Sequence, residues 1–417
     1  MNIQVHLCEG AVTPVDFDDD SVCADVITGR SPDDLYIPTL LGLLKSGHVV
    51  RPRGMVTRER LGVTTVLKEP TRRLFTNPKR RVNAVFNLLE SAWILAGRKE
   101  LRLLAPYNSQ FLKFVVDGAI PTLVEMYSSG GERAYNLTEN APYGWRIRNH
   151  FGIDQLADCL KALQKDYDTR QAVMVLWDPK LDNSDAATKD RPCNDLVMFN
   201  IRNVDGKHRL YMTVINRSND LTLGLYNVNF IQFSTIQEAM ASILGIEVGT
   251  YRHYSNSLHV YIDEEPWNSI QSRIIAGAFV NGKHVSLYDI MQTTPCPIAF
   301  ETLEEMDTSL CELFEYIDDL NQSYAVHSRT ELPIPDFHNP WVEGIARLAT
   351  AYILMLNGDV GCSLAQAMKA FDSSPEYAIM FLQTLNHKFP KHATVIQKEI
   401  SVKPAGTDIY NSFINIW

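Results

Sequence analysis

No CxxC pair, no internal repeat and no apolar run long enough to cross a bilayer occurs in this 417-residue sequence. The longest apolar stretches resemble Ala349 to Leu356, which carries Tyr352 inside it, whereas a spanning helix needs about 20 such residues. Met1 to Gly10 lacks a basic start followed by an apolar stretch, so no secretory signal is expected. Cysteine is sparse: Cys8, Cys23, Cys159, Cys193, Cys296, Cys311 and Cys362 are odd in number and scattered. That argues against a disulfide framework or a structural zinc site, and for reduced thiols in the cytoplasm. Basic residues are outnumbered 39 to 49, a net charge of −10, so a generic nucleic-acid surface is not expected. The 45% hydrophobic and 21% charged content excludes disordered and low-complexity classes.

What is there reads as an α+β chain of two or three domains, or one large domain with additions. Apolar spacing predicts helices over 82–97 and 153–166 and a buried helix over 229–244. Strands are predicted over 171–177, 195–203, 208–216 and 250–262, with an Asp205-Gly206 turn joining the middle pair. From about 300 to 397 the pattern is helical. The expected division is an extension over 1–50, a catalytic α+β domain over 51–295 and a mostly helical region over 296–417. One local charge excess stands out: Arg51 to Arg81 holds ten basic residues against Glu59 and Glu69. It reads as a solvated basic face or as an anion-binding region.

The chemistry concentrates between Ala141 and Tyr261, in APYGWR, DTR (168–170), RPCN (191–194), NRSNDLTLGLYNVNF (216–230) and SLHVY (257–261). Singly these are ordinary: a cysteine after proline is usually core, and a histidine in a strand is usually a satisfied polar residue. In this order, over roughly 60–261, they resemble the thymidylate synthase family of pyrimidine nucleotide C5-methylases and hydroxymethylases.

The resemblance implies a mixed sheet packed with helices; the helical region after about 300 is not part of the family's minimal enzyme and reads as a C-terminal addition. The resemblance also implies a homodimer, a dUMP substrate and 5,10-methylenetetrahydrofolate as the one-carbon donor. Cys193 matches the nucleophile that adds to C6 of the pyrimidine and makes C5 reactive. A nearby guanidinium is expected to lower its pKa. Arg217 and Ser218 match phosphate ligands, and Asp220 lies where the family approaches the base and the pterin. Arg60 matches an early phosphate arginine, with Arg53 and Arg58 as competitors in register. Arg170 matches an arginine that crosses a two-fold interface. His259 and Tyr261 match the pair on the sugar 3′-hydroxyl, and strand alternation sets both on one face. A metal role for His253 and His259 has no supporting cluster, so no metal is expected. Glu90, in ESAWILAG, matches a proton-relay glutamate, and a carboxylate on an apolar helix face predicts a raised pKa. Asn229 is the base-reading candidate, because an amide donates to O4 and accepts from N3–H of uracil together. One extra residue in GLYNVN leaves Asn227 as the alternative. Gly224 and Phe111 fall at cofactor positions.

The chain also departs from the family pattern. Asn194 replaces the usual histidine after the nucleophile, and Gln171 the second arginine of the cross-subunit pair. Phe111 is nearest to the stacking tryptophan, and the tail NSFINIW is unlike the family's. Together these favour water over hydride as the last reactant. The expected product is 5-hydroxymethyl-dUMP, as in enzymes phages use for DNA modification, and the location is then the host cytoplasm. Thymidylate synthase, a dCMP hydroxymethylase and a non-catalytic nucleotide- or RNA-binding protein are the alternatives.

Overall fold

The computed structural model describes residues 26–393, apart from 78, 117, 128–131, 184–189, 263–266, 278, 281, 282, 285, 291–293 and 328–331. The acidic turn at Asp16 to Asp20 and the tail NSFINIW lie outside the described residues.

Eight strands build the sheet: β1 (Val26–Gly29), β2 (His48–Val50), β3 (Thr57–Leu67), β4 (Val173–Val175), β5 (Asn194–Val204), β6 (Lys207–Asn216), β7 (Asn219–Asp220) and β8 (Glu247–Tyr261). Their spatial order is β1-β3-β8-β6-β5-β4, with β2 also on β3 and β7 also on β8. The sheet is mixed: β1 lies parallel to β3, and β6 and β7 lie parallel to β8, while the other pairings are antiparallel. The first strand of the predicted set is shorter than its sequence pattern. Leu176 and Trp177 turn their N–H groups onto the Asp195 carbonyl instead of extending the ladder.

The principal helices are α1 (Pro32–Ser46), α2 (Ala84–Leu95), α3 (Gln155–Lys165), α4 (Phe230–Ile243), α5 (Leu303–His327), α6 (Pro340–Leu356), α7 (Val360–Ser373) and α8 (Pro375–Lys388). All twelve residues of α2 are buried, as its all-round apolar sequence requires. It packs against α4 and against α6 and α8 of the C-terminal region. Asn83 caps α2 by accepting from Phe86 N, and Thr384 of α8 accepts from Val85 N at 3.0 Å. Helix α1 and the C-terminal helices share one continuous core with the sheet.

The basic stretch resolves mainly into structural contacts. Arg73 is buried against Glu238, and Arg80 is buried with its Nη2 on the Thr222 carbonyl at 3.0 Å. Arg72 pairs with Glu69 and Asp289, and Arg58 donates to the Gly47 carbonyl. These guanidiniums hold the fold; Arg53, by contrast, lies on an exposed turn at φ +55°. No helix among the described residues is long and apolar enough to cross a membrane.

Candidate active site

The β5–β6 hairpin positions Cys193, the expected nucleophile. Asp205 (φ +55°) and Gly206 (φ +80°) make a turn whose twist matches the strands, and the register sets Asn194 opposite Asn216. Cys193 and Arg217 therefore meet at the open end. Arg217 N donates to the Cys193 carbonyl at 2.9 Å and its Nε to the Pro192 carbonyl at 2.8 Å. Its Nη2 is 3.9 Å from Cys193 Sγ. A β-bulge between Asn194 and Leu196 bends the strand here, a feature common beside active sites. From the other side, Cys193 N donates to the Tyr143 hydroxyl at 3.2 Å. The guanidinium is where the sequence predicts it, yet the thiol is raised rather than lowered. Burial is the largest cause; Arg217 and Arg53 pull the thiol down, while Asp195 and Asp190 push it up.

Leu221–Asn229 winds as a π-helix, and Phe230 N donates to Leu225 O, five residues back. A π turn takes in one residue more than an α turn, which accommodates the extra residue of GLYNVN. The turn sends the two asparagines apart. Asn229, 5% exposed, donates through Nδ2 to Asn194 Oδ1 at 3.2 Å, beside the nucleophile. Asn227 faces α2 instead, its Oδ1 accepting from Asn87 Nδ2 at 2.9 Å. Gly224 is the one residue type that fits inside the turn, since a Cβ there would lie 2.6 Å from Asn219 Oδ1. Asp220 caps the turn by accepting from Leu223 N, and its Oδ2 is buried without a partner. Burial raises its pKa, opposed by His259.

Glu90 projects from α2 toward α4, where Gln232 Nε2 donates to its Oε2 at 2.9 Å. Burial pushes its carboxyl up to about 7 against that hydrogen bond, in the predicted direction. Gln232, in the first turn of α4, lies three residues beyond Asn229, the residue just before that helix, so the start of α4 brings both to the cleft. Glu139 stands in the electrostatic field of Glu90 and Asp190, and burial raises it well above the usual carboxylate range.

The sugar and phosphate candidates divide. His259 and Tyr261 lie on one face of β8 with ring centroids 5.6 Å apart, and His259 is paired with Asp220 of β7. Burial raises the Tyr261 hydroxyl, and the Arg53 charge opposes that rise as it opposes the rise of the Cys193 thiol. Arg60 pairs with Leu258, so its side chain leaves the opposite face of the sheet and reaches α1 at Gly42. Ser218 stays at the site, its N–H on Asn216 Oδ1 at 2.9 Å. Arg170 is not brought to Cys193. It is exposed beyond Thr169, whose carbonyl accepts from Asn200, six residues and about 20 Å along β5 from Asn194. Phe111 stacks obliquely on Phe86 of α2, centroids 5.7 Å apart.

Sequence reasoning missed Tyr143, Gln232 and Asn216. Only the APYG segment carried a signal for the first, and the other two became visible through pairings across helices and strands.

The thymidylate synthase family model matches residues 53–314. The deoxyuridylate hydroxymethyltransferase of Bacillus phage SP01 is 37% identical over 317 residues, 70% of this chain and 74% of that protein. The same-named protein of Pseudomonas phage M6 is 36% identical over 208 residues, 50% of this chain and 52% of its own length. A putative thymidylate synthase of Methanothermobacter thermautotrophicus is 30% identical over 221 residues, 52% of this chain and 85% of its length.

Proposed function

The chain belongs to the thymidylate synthase family and is a pyrimidine nucleotide one-carbon transferase, and from that premise we propose that it hydroxymethylates C5 of dUMP. In this reading 5,10-methylenetetrahydrofolate supplies, when bound, the one-carbon unit. The residues fit such a group. Asp220 offers a buried Oδ2 with no protein partner, an acceptor for a pterin N–H, and Gly224 keeps clear the space a Cβ would fill.

Cys193 adds to C6 and gives up its proton as the C–S bond forms, with the Arg217 guanidinium beside the developing thiolate. Arg217, Ser218 and Arg53 meet the phosphate; Arg53 takes the part assigned to Arg60, which leaves the other face of the sheet. His259 and Tyr261 hold the 3′-hydroxyl, and Asn229 reads O4 and N3–H. Glu90, titrating near neutrality, exchanges a proton with O4 through ordered water. Once the nucleotide carries an exocyclic methylene, water adds to that carbon and loses a proton to the site. The C5–C6 double bond re-forms, the C6–S bond breaks and the thiolate is regenerated.

The observation that supports water rather than hydride is the polar lining beside Cys193 and Glu90. Asn194 stands next to Cys193 where the family has a histidine, and Gln232 Oε1, an acceptor, is buried beside Glu90 without a protein partner, so this side of the site offers ordered water a hydrogen bond. Hydride transfer needs water kept away. We further take the active form to be a homodimer in which Arg170 reaches the neighbouring site, which accounts for its distance from Cys193 in its own chain.

Product mass tests the reading. dUMP and methylenetetrahydrofolate are expected to give 5-hydroxymethyl-dUMP with tetrahydrofolate released unoxidised. A product at the mass of dTMP with stoichiometric dihydrofolate would establish methylation instead.

A further inference from the structure

Three asparagines along the cleft form a chain of hydrogen bonds with one permitted sense. It begins at a group with no choice: the backbone N–H of Ser218 can only donate, and it donates to Asn216 Oδ1 at 2.9 Å. Asn216 is 0% exposed, and this contact leaves its Nδ2 facing Asn194, to whose Oδ1 it donates at 2.9 Å. Asn194, also 0% exposed, therefore presents its carbonyl end there. Asn229 meets the same oxygen and donates through Nδ2 at 3.2 Å.

The two ends of a carboxamide are nearly equal in size, so packing does not orient it; hydrogen-bond partners do. Turning Asn229 over would set its carbonyl oxygen against that of Asn194. Relief would require Asn194 to turn, then Asn216, until an amino group faced the Ser218 N–H. Each inversion inside a buried site forfeits a hydrogen bond and leaves a like pair in contact. Asn194 Oδ1 is thereby held by two donors at once, Asn216 Nδ2 and Asn229 Nδ2.

We infer that Asn194 is a specificity-determining residue: by accepting one Nδ2 proton of Asn229 it fixes that amide in the sense that matches a 4-oxo, N3–H pyrimidine and rejects a 4-amino one. The inference rests on the reading of Asn229 as the base-reading group. With one Nδ2 proton held by Asn194, the other is left for a carbonyl at C4, and Oδ1 accepts from N3–H. Cytosine presents a donor at C4 and an acceptor at N3, and so demands the forbidden sense. The order of the relay also explains why the discrimination sits beside the phosphate segment: its anchor is the backbone of Ser218, next to Arg217.

The test compares dUMP and dCMP on the full-length protein, as dissociation constants and as kcat/KM, in wild type, Asn194→Ala, Asn194→Asp, Asn216→Ala and Asn229→Ala. Asn194→Ala is expected to shrink the dUMP-over-dCMP preference by roughly tenfold or more, through tighter dCMP binding. Asn194→Asp keeps an acceptor oxygen at the lock and is expected to retain the preference. A merely structural disturbance weakens both nucleotides together and leaves their ratio unchanged. An unchanged ratio in Asn194→Ala beside a collapsed ratio in Asn229→Ala overturns the lock and keeps the base reading; an unchanged ratio in both overturns the base reading. Should Asn194→Ala fail to fold, Asn216→Ala is read by the same ratio, and an intact preference there overturns the relay.

Discussion

In the proposed mechanism Glu90 links reaction to stability through a single side chain. Its folded pKa of about 7 lies above the ordinary 4.5, so the folded state holds the proton more tightly than the unfolded chain. The stability it contributes is therefore fully present below about pH 4.5 and is lost as pH rises through 7. The whole effect amounts to roughly 3 kcal/mol. Replacing Glu90 by Gln should remove that slope, so the variant melts higher than wild type above pH 7 while losing most of its turnover. Thermal melts at pH 5 and pH 8 measure it, and a wild-type-like pH slope in the variant would show that Glu90 is not the titrating group. Cys193 carries a separate prediction. Cys193→Ser should abolish tritium release from 5-tritiated dUMP and leave dUMP binding nearly intact, since the proposed phosphate and sugar contacts come from other residues. Undiminished release would remove Cys193 from the mechanism.

At the scale of the element, the π-helix Leu221–Asn229 is both a register device and a tight fit. Gly224→Ala would drive a methyl to 2.6 Å from Asn219 Oδ1, which is held by its own contacts to His253 and Ser255. We expect about 1–3 kcal/mol of destabilisation and a rise in KM for dUMP, because Asn229 ends the same turn. Chemical denaturation and steady-state kinetics on one preparation check both, and a rise in neither would show that the turn has room. Helix α8 offers a second test. Thr384 accepts from Val85 N, one of the N–H groups that the start of α2 leaves unsatisfied. Thr384→Val should cost about 1 kcal/mol by urea unfolding and slow turnover, because α2 carries Glu90. A neutral result would mean that α8 packs on α2 without holding its first turn.

For the whole molecule, the separation of Arg170 from the nucleophile makes the assembly testable. Mixing Arg170→Ala protein with Cys193→Ala protein should restore part of the activity, because one composite site then has both wild-type residues. Absence of recovery, in a mixture shown to exchange subunits, would place Arg170 outside the catalytic machinery.

The order of motifs, the β5–β6 turn at Asp205-Gly206, the helix α2, the buried helix α4 and the raised pKa of Glu90 were all legible in the sequence. Each follows from local chemistry: a turn dipeptide, an apolar period, or a carboxylate among hydrocarbon. The same local reading overextended β4, because it could not see Asp195 capturing the next two N–H groups. It favoured Asn229 from the register of the following helix, but residue counting left Asn227 close behind. Counting residues assumes a fixed number per turn, and the π-helix relaxes that number. The face from which Arg60 leaves the sheet depends on cross-strand register with Leu258, and the orientation of Asn229 depends on a relay through β5 and β6. The thiol pKa is likewise a balance between a neighbouring charge and burial, and burial is a property of the packed chain. Composition and spacing thus determined which residue types are available for chemistry. Tertiary packing decided which of them meet and in what orientation, because buried polar groups are oriented by the partners that the fold brings to them.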